Sequence, residues 1–162
     1  MRNALQSETS VKPWGMPQMV RPRPVVLVIE DSDDDFYLLQ RAFNKVDGCT
    51  EIVHIREGAE AIQHLDNARQ KQNSPALLLL DLKLPGVSGF DVLKWVRNDP
   101  TFKLLPVNIL SSSGEPADVR KAFELGANAF TVKPMGLGEY DDLVRTLLKF
   151  WFELGQLPRQ PS

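Results

Sequence analysis

The stretch VVLVIEDSDDD, Val25–Asp35, joins a short apolar run directly to a group of acids. The run itself, Val25–Ile29, is continuously apolar, which is typical of a strand buried on both faces in a helix-covered parallel sheet. Because acids follow directly after this strand, we expect charged groups at the edge of the sheet where the strand ends. The carboxylates that follow the run are Glu30, Asp31, Asp33, Asp34 and Asp35.

Similar apolar runs recur along the chain and alternate with helical patterns. Ala76–Leu80, ALLLL, is also continuously apolar and also ends in an acid, Asp81. Strict alternation of strand and helix implies parallel strands with right-handed crossovers. We therefore predict an α/β fold: a doubly wound five-stranded parallel sheet of flavodoxin-like type, with strand order 2-1-3-4-5. The predicted strands are Val25–Ile29, Glu51–Ile55, Ala76–Leu80, Val107–Leu110 and Ala129–Val132.

Length and charge narrow the classes of protein to consider. At 162 residues the chain suits one domain, and its net charge of -2 gives no basic field for nucleic acid or an anionic membrane surface. Its single cysteine, Cys49, cannot form an internal disulfide, and no run is apolar enough for a signal peptide or a membrane span. We expect a soluble cytoplasmic protein with a flexible, proline-rich N-terminal tail over 1–24, a domain over 25–154 and a C-terminal tail over 155–162.

The predicted strand order brings distant acids together. Strands one and three are neighbours in it, so Glu30, Asp31 and Asp81 converge at the carboxyl edge of the sheet, where such folds bind ligands. Carboxylates that are close together and partly buried must take up protons, pair with a base or hold a cation. Oxygen ligands of this kind suit Mg²⁺, which usually binds through one or two carboxylates and completes its shell with water and phosphate.

Helix capping is an alternative explanation for part of the acidic group. Ser32 and Asp35 have the spacing of a capping box, and Asp33 and Asp34 would lie at the positive end of a helix dipole. We assign Asp33, Asp34 and Asp35 to this role. Capping does not explain Glu30, Asp31 or Asp81, because those acids precede the helix or follow another strand.

Two further polar residues are expected at the same sheet edge. Lys133 follows the fifth predicted strand and Ser111 follows the fourth. An ammonium group can pair with a carboxylate or a phosphoryl oxygen, and a hydroxyl can donate to one. Together with the acids they make a site that could accept a phosphoryl group on Asp81.

Four segments of the chain resemble the receiver domain of two-component response regulators: VLVIEDSDDD, LLLLDLKLPGVSGFDVL, PVNILSSS and GANAFTVKP. The resemblance covers about residues 25–152. It implies that Asp81 is the phosphoacceptor and that Glu30, Asp31, Asp81 and the backbone carbonyl of Lys83 hold Mg²⁺.

The same resemblance implies roles for residues on the later strands. Lys133 would pair with the acceptor or its phosphoryl group, and Ser111 would bind a phosphoryl oxygen. Phe130 would act with Ser111 as the switch, by changing rotamer on activation. The Lys133–Pro134 peptide bond would be cis, an isomer that is inexpensive only before proline.

The implied function is that of a single-domain response regulator. It would accept a phosphoryl group from a partner histidine kinase and signal through changed protein contacts, without being an enzyme. Two alternatives stay open: a phosphorelay intermediate that passes phosphate to a histidine phosphotransfer domain, and a phosphorylation-independent binding module. A hydrolase of the haloacid dehalogenase type is disfavoured, because Lys83 stands where such enzymes need an acid.

The end of the chain suggests a homodimer and a subgroup. Apolar residues of the predicted fifth helix, from Tyr140 to Leu154, cover an arc of roughly 200°, wider than one packing face needs. The extra apolar face either covers the domain's own core or meets another subunit. The ending KFWFELGQLP resembles the C-terminal extension of small regulators paired with bacterial phytochromes, which implies a phytochrome kinase as partner. Asn108, in an otherwise apolar strand, has no explanation in the sequence. The candidates for the dimer contact are Leu148, Trp151 and Phe152.

Overall fold

A computed structural model describes residues 23–158 of the chain. Most of the N-terminal segment predicted as a flexible tail, 1–22, and the last four residues of the C-terminal tail, 159–162, lie outside the described residues. The regular elements begin at Val25 and end at Leu154.

Strands and helices alternate along the chain, as the sequence predicts. The strands are β1 Val25–Ile29, β2 Glu51–Ile55, β3 Leu77–Leu80, β4 Val107–Ser111 and β5 Ala129–Val132. The helices are α1 Asp33–Val46, α2 Gly58–Gln70, α3 Gly89–Asn98, α4 Pro116–Glu124 and α5 Leu137–Leu148, and α5 continues into a π-helical segment, Lys149–Leu154.

The five strands form one parallel sheet in the order β2-β1-β3-β4-β5, which confirms the predicted fold. Ile29, the last residue of β1, pairs with Leu80, the last residue of β3. The two strands therefore end level with each other. This register brings the acids that follow β1 and β3 to one place.

The core has two layers, one on each face of the sheet. Leu27 and Ile29 of β1 pack with residues of α2, α3 and α4, whereas Val26 and Val28 pack with residues of α1 and α5. Successive side chains of a strand point to opposite faces, so a strand covered on both sides must be apolar throughout. This explains the uninterrupted apolar runs in the sequence.

The C-terminal helix differs from its prediction. A single α-helix through Leu154 is predicted at about 100° per residue, but the α-helix ends at Leu148. Beyond it the chain widens to i→i+5 hydrogen bonding, with the Gly155 N–H donating to the Phe150 carbonyl at 2.7 Å. The predicted apolar arc therefore does not extend past Leu148.

The burial of the dimer candidates follows from this geometry. Leu148 is buried in the cluster between α1 and α5, and Trp151 and Phe152 are half-buried against the same cluster. Leu148 is thus a residue of the domain's own core and not of its surface. Phe150 and Leu154 are the apolar residues of this segment that face solvent, with 56% and 70% exposure.

In the described part of the chain, no helix combines the length and the apolar character that a membrane span requires.

Candidate functional site

Three acids meet at the carboxyl edge of the sheet. Glu30 and Asp31 follow β1 and Asp81 follows β3, and one carboxylate oxygen from each lies within 4.8 Å of the others. Glu30 and Asp81 are buried, whereas Asp31 is exposed. The predicted convergence of these acids is therefore present in the structure.

Lys133 supplies the positive charge for this acidic group. Its backbone N–H donates to the Ser111 carbonyl at 2.8 Å, which continues the pairing of β4 and β5 by one residue. Its Nζ lies 2.5 Å from Glu30 Oε2, 2.8 Å from Asp81 Oδ2 and 2.9 Å from Asp35 Oδ2. An ammonium group has three N–H donors, so these contacts account for all of them.

Burial and hydrogen bonding act in opposite directions on the pKa of Glu30, and they do so again on the pKa of Lys133. Burial raises the pKa of Glu30 to about 7, and the hydrogen bonds from Lys133 and the Ser32 N–H offset only part of that effect. Burial acts to lower the pKa of Lys133, but hydrogen bonds to Asp81, Glu30 and Asp35 outweigh it and raise that pKa above its ordinary value. Lys133 is therefore a fixed cation, while Glu30 can titrate near neutral pH.

The loop after β3 is held tightly behind Asp81. The Lys83 N–H donates to Asp81 Oδ1 at 3.1 Å, and the Gly89 N–H donates to the Leu82 carbonyl at 3.1 Å. A Cβ at Gly89 would lie 2.1 Å from the Asp81 carbonyl oxygen. Glycine is thus required where α3 starts, because its backbone packs directly against that of the acid.

The predicted switch residues lie on β4 and β5, the two strands on one side of β3. Ser111 is fully buried at the end of β4, and its Oγ accepts from the Ser113 N–H at 3.3 Å. Phe130 of β5 is half-buried, pairs with Ile109 and packs against the core layer under α2, α3 and α4. The two residues thus belong to adjacent strands beside the site.

The Lys133–Pro134 peptide bond is trans, because the described residues contain no cis peptide. The prediction of a cis bond is therefore wrong. The trans isomer is the favoured one even before proline, and the Lys133 ammonium already reaches Asp81 with it.

Asp35 has a role that the capping explanation missed. Ser32 does cap α1, since its Oγ accepts from the Asp35 N–H at 3.2 Å. The return bond of a capping box is absent there, because the Ser32 N–H donates to Glu30 Oε1 instead. The Asp35 carboxylate points back to Lys133. The signal for this was available, because side chains in the first turn of a helix tilt towards its N-terminus, here towards the sheet edge.

His54 is a second residue that the sequence reading missed. It lies on β2, and its Nε2 donates to the Glu30 carbonyl oxygen at 2.8 Å. Its ring stacks on Phe36 of α1, with the centroids 3.6 Å apart. His54 thus fixes the backbone of the loop that carries Glu30 and Asp31, and only the strand order places it there.

The polar side chain of Asn108 is accounted for structurally. Its Nδ2 donates to the Ile109 carbonyl at 2.8 Å and to Thr131 Oγ1 at 3.2 Å. Asn108 and Thr131 line a cavity of about 500 Å³ beside α5, together with Leu147 and Trp151. A buried amide is stable here because strand β5 provides its partner.

The donor set fits a hard divalent cation. The acids Glu30, Asp31 and Asp81 offer only oxygen atoms, and these lie close enough together to share an ion. The Lys83 carbonyl belongs to the same loop as Asp81. The edge of the sheet therefore combines a cation site, a buried carboxylate and a fixed ammonium group.

Comparison with known proteins gives a consistent result. Residues 26–145 match the family described as response regulator receiver domain. Response regulator Rcp1 of Synechocystis sp. is 33% identical over 139 residues, which are 85% of this chain and 95% of Rcp1.

Solved structures extend the similarity to the whole fold. The phosphorylated cyanobacterial phytochrome response regulator RcpA has a TM-score of 0.79 at 31% identity, over 85% of this chain and 99% of RcpA. The Mn²⁺-bound form of Rcp1 has a TM-score of 0.74 at 33% identity, over 84% of this chain and 99% of the other.

Proposed function

This chain belongs to the response regulator receiver family, whose role is to accept a phosphoryl group in two-component signalling, and we propose that Asp81 is its phosphoacceptor. One observation carries this assignment. Asp81 is buried at the end of β3, with Oδ2 2.8 Å from the Lys133 ammonium and other acids within 4.8 Å. We take residues 25–154 as the receiver unit.

The chemistry follows from the placement of these groups. A carboxylate oxygen of Asp81 attacks the phosphorus of a phosphohistidine on the kinase. The P–N bond breaks, its electron pair returns to the imidazole, and an aspartyl phosphate forms. Positioning and electrostatic stabilisation carry most of phosphoryl transfer. Lys133 contributes a fixed positive charge, and the Ser111 hydroxyl, at the end of the strand next to β3, would donate to a phosphoryl oxygen.

The cation of the site is proposed to be Mg²⁺, held by Glu30, Asp31, Asp81 and the Lys83 carbonyl. When bound, it would offset the negative charge of acceptor and phosphoryl group. The all-oxygen donor set supports a hard cation, and Rcp1 has been solved with Mn²⁺.

The output is proposed to be a population shift of the domain surface. Movement of Ser111 towards the phosphoryl group would leave space that Phe130 fills, and the surface of α4, β5 and α5 would change with it. In this reading the protein is a phosphoacceptor and not an enzyme acting on other molecules.

The kinase partner is proposed to be a phytochrome histidine kinase in the cytoplasm. RcpA is a phytochrome response regulator, and the present chain aligns with nearly all of it. The net charge of -2 does not favour nucleic acid as a partner.

The π-helical segment is the proposed homodimer contact. Phe150 and Leu154 expose apolar surface there, and Trp151 and Phe152 lie half-buried beside them. Exposed apolar residues in a cluster favour contact with a protein surface.

The phosphoacceptor assignment is tested by weighing the intact protein after incubation with acetyl phosphate and Mg²⁺. Wild type is expected to gain one phosphoryl group and Asp81→Asn none. The matched control is Asp142→Asn, an exposed acid of α5, which should behave as wild type. Equal labelling of wild type and Asp81→Asn would overturn the assignment.

A further inference from the structure

The ammonium group of Lys133 has a third carboxylate partner that the proposed reaction does not use. Asp35 Oδ2 lies 2.9 Å from Lys133 Nζ, at nearly the distance of the Asp81 contact, 2.8 Å. This ion pair joins the first turn of α1 to the loop after β5. It is not a loose surface contact, because only 7% of the Lys133 side chain and 35% of the Asp35 side chain are exposed.

The other two partners of Lys133 change when the proposed function is carried out. Asp81 becomes an acyl phosphate, so its carboxylate charge is replaced by that of the phosphoryl group. As a ligand of the proposed cation, Glu30 would share its negative charge with that ion, which would weaken its pairing with the ammonium. Asp35 is the partner that takes no part in either change.

The backbone of α1 brings the Asp35 carboxylate to the sheet edge. Its N–H donates to Ser32 Oγ, which sets it as the third residue of α1, and its side chain tilts back towards the sheet edge. The carboxylate also lies at the positive end of the helix dipole, where a negative charge is favoured. The position of Asp35 in the first turn therefore lets its carboxylate reach the Lys133 ammonium and orient it.

We propose that Asp35 is a positioning residue for phosphoryl transfer: it keeps the Lys133 ammonium aimed at the acceptor while Asp81 and Glu30 change partners. This inference rests on the proposed function. It predicts that loss of the Asp35 charge slows phosphorylation of Asp81 and leaves the fold in place.

The test compares Asp35→Asn with Asp34→Asn as the matched control. Asp34 lies in the same first turn and is exposed, with no ion-pair partner among residues 23–158. Both variants remove one charge from the helix N-terminus, so both should lose a similar contribution from the helix dipole. Only Asp35→Asn removes the contact with Lys133.

The first measurement is the rate of phosphorylation by acetyl phosphate and Mg²⁺, followed by intact mass. We expect Asp35→Asn to be slower than wild type by about fivefold, which corresponds to about 1 kcal/mol, the net value of one intramolecular hydrogen bond. Asp34→Asn should match wild type. An unchanged or faster rate for Asp35→Asn, or an equal loss in Asp34→Asn, would overturn the proposal.

The second measurement does not depend on phosphorylation. In the metal-free protein the ¹⁵N–¹H signal of the Lys133 ammonium group should be sharp in wild type and Asp34→Asn, because three acceptors slow its exchange and rotation. It should broaden or vanish in Asp35→Asn. A sharp, unshifted signal in that variant would contradict the positioning role.

The outcomes separate this inference from the proposed function. If wild type gains no phosphoryl group, the proposed function fails. If wild type is labelled and Asp35→Asn is labelled at the same rate, only the role of Asp35 fails. Should Asp35→Asn not fold, Asp35→Glu replaces it, because it keeps the charge but moves the carboxylate by one methylene. A rate below that of wild type is then expected. A wild-type rate with an unchanged Lys133 signal would count against the proposal.

Discussion

At the scale of single residues, Gly89 shows how closely the backbone packs behind the acceptor loop. A Cβ at this position would lie 2.1 Å from the Asp81 carbonyl oxygen and 2.7 Å from the Cα of Leu82. Both atoms belong to the backbone, so neither can move without shifting Asp81. The loop is therefore as much a part of the site as the carboxylates.

Gly89→Ala should destabilise the domain and impair phosphorylation together. Forcing a methyl group into this contact is expected to reduce the free energy of unfolding by about 1–3 kcal/mol. Gly138→Ala is the control, because a Cβ there meets no atom within 4 Å and the residue lies in α5. That substitution should be neutral or stabilising by up to about 1 kcal/mol. Urea unfolding measures both, and equal stabilities for the two variants would argue against tight packing at Gly89.

Glu30 should make the stability of the metal-free protein depend on pH. Burial raises its pKa from 4.5 to about 7 in the folded protein. A group whose folded pKa is raised stabilises the fold below its unfolded pKa, and this contribution is lost as the pH rises through the folded value. We expect wild type to lose stability relative to Glu30→Gln between about pH 4.5 and 7, by at most on the order of 3 kcal/mol.

The check is chemical denaturation of both proteins across that pH range without divalent ions. Added Mg²⁺ should stabilise wild type more at pH 8 than at pH 5.5, because the cation favours ionised Glu30. Asp31→Asn should weaken this response. A stability difference between wild type and Glu30→Gln that does not change with pH would count against the pKa shift.

Among individual residues, the sequence predicts those that directly follow a strand and misses those that reach the site from elsewhere. Glu30, Asp31, Asp81 and Lys133 could be placed because parallel strands end at one edge. The first-turn position of Asp35 indicates only that its side chain tilts towards the sheet edge, and His54 reaches Glu30 from a neighbouring strand. Identifying their contacts requires distances between side chains, which spacing along the sequence does not contain.

At the scale of elements, the strands are predicted closely and the last helix is not. Apolar runs fix the strands because both faces of the sheet are covered. The chain from Lys149 onwards is equally apolar, but it forms a π-helical segment, and the i→i+5 bonding depends on local packing rather than on apolar periodicity. The apolar residues that this segment exposes, Phe150 and Leu154, therefore could not be identified as surface residues from an α-helical projection of the sequence.

The exposed apolar surface of this segment leads to a prediction about association. Wild type should be a dimer by light scattering, and Leu154→Glu should shift it towards monomer, because a charge would be buried in an apolar contact. The control is Tyr37→Glu, an exposed residue of α1 with 63% exposure, which should leave the dimer intact. A monomeric wild type, or equal effects of the two variants, would exclude the proposed contact.

At the scale of the whole molecule, the fold explains why the acids follow a buried strand. The order β2-β1-β3-β4-β5 makes β1 and β3 neighbours, and their register ends both strands at the same level. Acids that are far apart in sequence thereby share one edge with Lys133. Strand order and site can both be predicted because they follow from the same alternation of elements.

The other proposals depend on which residue accepts the phosphoryl group, and that residue can be located chemically. Borohydride reduces an aspartyl phosphate to homoserine, which tandem mass spectrometry assigns to a single position. After treatment with acetyl phosphate and Mg²⁺ and then borohydride, we predict homoserine at residue 81 in wild type and none in Asp81→Asn. Homoserine at residue 31 or 35, with Asp81 unmodified, would contradict the assignment.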